Sequence, residues 1–91
     1  MKGTISGGFE YEIMDGAKDD IELLEALRDL DRGNILSAID ALEKLIGVEQ
    51  KKRLYEHLRD ENGKVSGVAV MTALTEMLDD AKEQSKDIKN S

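Results

Sequence analysis

The residues with the strongest claim to chemistry are Arg59-Asp60-Glu61-Asn62-Gly63-Lys64-Val65-Ser66, an oxygen-rich stretch with the outline of half a calcium loop. An EF-hand loop needs oxygen ligands at its first, third, fifth and twelfth positions and a glycine at the sixth. Setting Gly63 sixth puts Asp60 third and Asn62 fifth, but leaves Leu58 first and Ala69 twelfth. Apolar side chains then stand where the anchoring carboxylates belong, so no metal is expected here. The stretch reads instead as a joint, with Asn62-Gly63 ending one helix and Ser66 capping the next.

No other cluster promises catalysis. The single histidine, His57, follows Glu56 on a helix edge and reads as a surface residue. Serines and aspartates occur, yet no turn motif presents a nucleophile or builds an oxyanion site. Asp19-Asp20 suits helix capping, and Asp79-Asp80 reads as solvated. Gly3, Gly7 and Gly8 lack the Lys-Ser/Thr that completes a phosphate cradle. The expectation is a protein that is not an enzyme and carries neither cofactor nor metal.

Charge narrows the partners. Twenty acidic against thirteen basic residues give a net charge of −7, which repels phosphate backbones and anionic membranes. Nucleic-acid and membrane roles are therefore not expected. Lys51-Lys52-Arg53 is followed by Glu56 and Asp60 at helical spacing, which predicts ion pairs along one solvated face. The lack of a 20-residue apolar run and of a signal-like start leads to an expected cytoplasmic location.

The elements that must position these residues are mostly helices. With no Pro, Cys or Trp and only Phe9, Tyr11 and Tyr55 as aromatics, the core must come from aliphatic residues, Met and Ala. The reading is an all-α fold, a small bundle of about four helices preceded by a short extended segment. Residues 1–18 are expected as a flexible arm with a short extended segment, 19–81 as the helical domain and 82–91 as a polar C-terminal tail. Phe9, Tyr11 and Ile13 alternate with Glu10, Glu12 and Met14, the period of a strand. That strand has no evident partner in the sequence, so it must lie on helices or pair with another copy, which makes these three the candidate self-association residues.

Asp19 or Asp20 should cap a first helix carrying Ile21, Leu23, Leu24, Leu27 and Leu30, stopped by Gly33. Asn34 should cap a second, carrying Ile35, Leu36, Ile39, Leu42, Leu45 and Ile46 and ending at Gly47 in a left-handed cap. A third should run from Val48 or Glu49 to Glu61 with Leu54, Tyr55 and Leu58 buried. The fourth, after Ser66, has one face of Val68, Met71, Leu74, Leu78 and Ala81. Val70, Ala73 and Met77 form a second face about 100° away. Either that second face packs within the chain, the common fate of a broad stripe, or it is open to a partner. Val70, Ala73 and Met77 are accordingly the candidate partner-binding residues.

Leu23-Leu24-Glu25-Ala26-Leu27, Leu45-Ile46-Gly47-Val48-Glu49-Gln50, the run from Leu54 through His57-Leu58-Arg59-Asp60-Glu61 to Val65, and the closing Lys89-Asn90-Ser91 together resemble the small tail assembly chaperones of long-tailed bacteriophages and prophages. The resemblance spans about Asp20 to Ser91. It implies a mainly helical protein that binds and solubilises the long, apolar tape measure protein in the bacterial cytoplasm before the tail tube forms around it. It further implies a homo-oligomer coating the client, and a longer form, made by ribosomal frameshifting, that brings in the tail tube protein. The alternative is a small prophage-encoded adaptor or regulatory protein that binds a folded host protein.

Overall fold

The computed structural model describes residues 1–90, with side chains as far as Lys82. Two short strands, β1 (Lys2–Thr4) and β2 (Glu10–Glu12), precede a 3-10 turn (Ala17–Asp19) and three helices: α1 (Ile21–Asp31), α2 (Ser37–Leu58) and α3 (Gly67–Asn90). The chain is mostly helical, but it has three helices where about four were expected. No helix among the described residues is long and apolar enough to cross a membrane.

The strand expected to lack an intrachain partner has one. β1 pairs antiparallel with β2, Gly3 opposite Tyr11, and Gly7 and Gly8 turn the chain at φ 86° and 85°. Residues expected as a flexible arm thus form a hairpin. Its Ile5, Phe9, Tyr11 and Ile13 enter the same core cluster as the helices. A Cβ on Gly3 would collide with the Tyr11 ring and the Asp80 carboxylate, so β1 needs a residue with no side chain at its centre.

The outer edge of β2 is answered by α2. Gln50 acts as a substitute peptide: its Oε1 accepts from Glu12 N at 2.7 Å and its Nε2 donates to Glu12 O at 2.6 Å. The same Nε2 donates to Ile46 O at 2.7 Å, and Met14 N donates to Leu45 O at 2.9 Å. Those two carbonyls need partners because α2 is broken at Gly47, whose φ 86° and ψ 162° are reached essentially by glycine alone. The expected boundary is there, as a kink within one element rather than as a left-handed cap.

The kink has a packing reason. Ala38, Ala41, Leu42, Leu45 and Ile46 are buried before it and Leu54 after it. On an unbroken helix Leu54 would stand roughly 160° around from Ala38, facing away from the first stripe. Breaking the helix at Gly47 turns both stripes toward one core.

Helix ends follow local chemistry. Asp20 accepts from Glu22 N at 2.8 Å and starts α1. After α1, Gly33 sits at φ 97° and Asn34 N reaches back to Asp29 O. Asn34 does not cap α2. The helix begins at Ser37 without a side-chain cap, its first amides answered by the carbonyls of Asn34, Ile35 and Leu36. Ile35 and Leu36, expected on the buried face, are consequently exposed.

The Asp60 joint ends α2 at Leu58, three residues earlier than expected. Asp60 Oδ1 accepts from Asn62 N and Lys64 N at 2.8 and 2.9 Å, and an isolated bridge pairs Arg59 with Val65. The carboxylate that suggested calcium is occupied in closing its own turn. Ser66 Oγ then accepts from Ala69 N at 3.2 Å, the cap expected for α3. α3 continues to Asn90, past the boundary expected for a polar tail, and the side chains of that tail beyond Lys82 lie outside the described residues.

Candidate functional site

The residues singled out for binding are interior. Val70, Ala73 and Met77 are 8, 3 and 0 % exposed and join Leu74 and Ala81 in the stripe that α3 turns to the core. They pack within the chain and are not open to a partner. Phe9, Tyr11 and Ile13 are likewise buried under the hairpin, so self-association through them would require unfolding it. Both corrections have one cause: intrachain surfaces cover these apolar faces first.

Tyr11 shows how firmly. Its hydroxyl donates to Asp80 Oδ2 at 2.7 Å, and burial, reinforced by that carboxylate, raises its pKa above the ordinary tyrosine value. Asp80, expected as solvated, thus anchors the hairpin to α3. Ser6 adds a second tie, its hydroxyl and amide donating to Glu76 Oε1 at 2.6 and 3.2 Å.

The basic cluster also pairs differently from expectation. Lys51 pairs with Glu43, the hydrogen bond raising its pKa, and lies over the Tyr55 ring. Arg53 lies over Phe9, and His57 sits 5.5 Å from the same ring. Glu56 pairs with Arg59 at 2.7 Å, which lowers the Glu56 pKa. These side chains brace the hairpin and the α2–α3 joint. Among the described residues, no group of three or more His, Cys, Asp or Glu is placed to hold a metal ion.

The open apolar surface lies elsewhere. α1 and α3 both pack on α2 and flank a groove of about 1120 Å³. Leu24, Leu27 and Leu30 form one wall, Met71 and Leu78 the other, with Leu45 of α2 also lining it. Leu24 is half exposed, and Leu27, Leu30, Met71 and Leu78 are partly buried. A smaller recess of about 400 Å³ beside Ile35 and Val68 shares Met71 and Thr75 with the groove. The open lining is mostly apolar and rimmed by charged residues, the character of an interaction surface.

The groove rim carries both signs, with Lys18, Arg28 and Lys82 among Asp31 and Asp79. Arg28 is held by Asp29 at 3.2 Å and Lys18 donates to Ala81 O at 3.3 Å. A mixed rim gives little preference for a charged ligand. The arrangement suits the apolar ridge of a helix, which presents residues at spacings of three and four. The α1 residues on the groove run from Leu23 to Asp31, a wall about 13 Å long, roughly two and a half turns of such a helix.

Sequence periodicity assigned Met71 and Leu78 to the core and missed them as groove walls. One feature did point to α1: Ile21 and Leu24 fall off the line of Leu23, Leu27 and Leu30, so the helix carries more apolar arc than one packing face uses. Compared with protein-family models, curated proteins and solved structures, the chain matches none.

Proposed function

We propose that this chain is a non-enzymatic binding protein that shelters an apolar helical segment of a partner in the groove between α1 and α3. The observation that carries the reading is the groove itself, walled by Leu24, Leu27, Leu30, Met71 and Leu78 on a chain of net charge −7. Apolar walls supply the affinity, and the acidic exterior keeps a coated client in solution. The sequence resemblance then makes the chain a phage tail assembly chaperone and the client the tape measure protein, whose helical apolar stripes aggregate when uncovered. Several copies would line one client, and a longer frameshifted form would add contact with the tail tube protein. The binding face in this proposal is the groove, in place of Val70, Ala73 and Met77.

Co-expression with the tape measure protein tests the reading. The wild-type chain raises the client's soluble fraction and co-purifies with it. Leu24→Asp and Thr75→Arg, both exposed positions on the groove, abolish the complex and leave the circular dichroism spectrum unchanged. A client that stays insoluble beside the wild-type chain, or a complex indifferent to both substitutions, overturns it.

A further inference from the structure

We propose that α2 is a two-state element, broken at Gly47 while the hairpin is wedged against it and continuous when the hairpin lets go, and that a second copy of this chain completes the continuous form by reciprocal exchange of residues 48–90. The inference is independent of what the groove binds. Gly47 is the one residue of α2 with non-helical angles, and helix flanks it on both sides. Three bonds to the hairpin segment hold the break, Met14 N to Leu45 O, Glu12 N to Gln50 Oε1 and Gln50 Nε2 to Glu12 O, and a fourth within α2 runs from Gln50 Nε2 to Ile46 O. A Cβ built on Gly47 would lie 2.9 Å from Met14 Sδ, so the hairpin occupies the space beside the break.

Freed of that wedge, residues 46 to 50 can regain intrahelical bonds, because glycine is tolerated in a helix at modest cost. A straight α2 points its two apolar stripes to opposite sides. The half beyond Gly47, with α3, then leaves its own α1 and hairpin, and both halves have uncovered core faces. The surface that fits each of them is the matching half of another copy. Two chains exchanging these halves rebuild every native contact except those at the hinge, the standard condition for domain swapping.

The test uses Gly47→Ala, which cannot adopt φ 86° without strain and favours the continuous helix. Its expected mass by light scattering is twice that of the chain. The chain has no cysteine, so spin labels can be placed singly at Glu25→Cys on α1 and Thr72→Cys on α3. Gly47→Ala chains carrying one label each, mixed in denaturant and refolded together, should give the interchain distance that a doubly labelled wild-type chain gives within itself. A monomer, or a dimer without that distance, overturns the proposal. If Gly47→Ala fails to fold, Gln50→Ala decides. Removing the amide bridge should raise the exchanged fraction several-fold over wild type at equal concentration, and an unchanged fraction overturns it.

Discussion

Met77→Ala distinguishes a buried stripe from a binding face. Met77 has no exposed surface and lies in the shared core cluster. Truncating a buried Met to Ala costs about 2–5 kcal/mol, the lost transfer energy plus the cavity left behind. A chain of 91 residues has on the order of 5–14 kcal/mol of total stability, so this one change removes a large share. With a urea dependence of about 1.5 kcal/mol per molar, a loss of ~3 kcal/mol lowers the unfolding midpoint by about 2 M. The assay is urea unfolding followed by circular dichroism, with Leu24→Asp as the control. Leu24 is half exposed on the groove, so the control should stay within about 0.5 kcal/mol of wild type. A Met77→Ala midpoint within error of wild type, combined with loss of partner binding, would refute the burial argument and return that face to the surface.

Three further outcomes follow from local geometry. Tyr11 has a pKa raised in the folded state, so its contribution is complete below the ordinary tyrosine value of about 10 and is lost as pH rises beyond it; chemical unfolding between pH 8 and 11 should show an alkaline fall in stability that Tyr11→Phe reduces. Ser66→Ala removes the cap of α3 and should cost about 0.5–2 kcal/mol in the same unfolding assay, most of which Ser66→Asp restores. Millimolar calcium should leave the melting temperature unmoved, because Asp60 Oδ1 already accepts two backbone amides; a calcium-dependent rise that Asp60→Asn abolishes would reinstate the loop as a metal site.

What the sequence made legible is what neighbours along the chain decide. Asp20, Gly33 and Ser66 act through amides and carbonyls within a few residues, and each sits where its residue type predicts. β1 was not legible because Lys2-Gly3-Thr4 has no alternation to detect. Its conformation depends on Tyr11 across the ladder and on Asp80, 77 residues along the chain from Gly3. The two faces of α3 are nearly equal in apolar content. The positions of α2 and of the hairpin decide that Val70, Ala73 and Met77 go inside while Met71 and Leu78 face the groove. Ile35 and Leu36 mislead for the opposite reason, since their hydrophobicity suggested burial and backbone geometry placed them before the helix.

The groove's openness itself calls for a physical reason, because apolar walls facing water would gain by meeting. Closing it requires α1 and α3 to approach each other, and each is tied to something else. Lys44 Nζ on α2 donates to Glu22 Oε1 at 2.9 Å, joining α1 to α2. On the other flank, Ser6–Glu76 and Tyr11–Asp80 fasten α3 to the hairpin, which Gln50 fastens in turn to α2. The Tyr11 bond is half-buried and directed at a carboxylate, so losing it costs more than an exposed pair of the Lys44 kind. α3 is thus held by directed bonds to the hairpin, and α1 by the burial of Leu23 and Ala26 against the core together with its surface ion pair to α2. Both walls are fixed by contacts that lie outside the groove, so Leu24, Leu27, Leu30, Met71 and Leu78 stay apart and the apolar lining stays open.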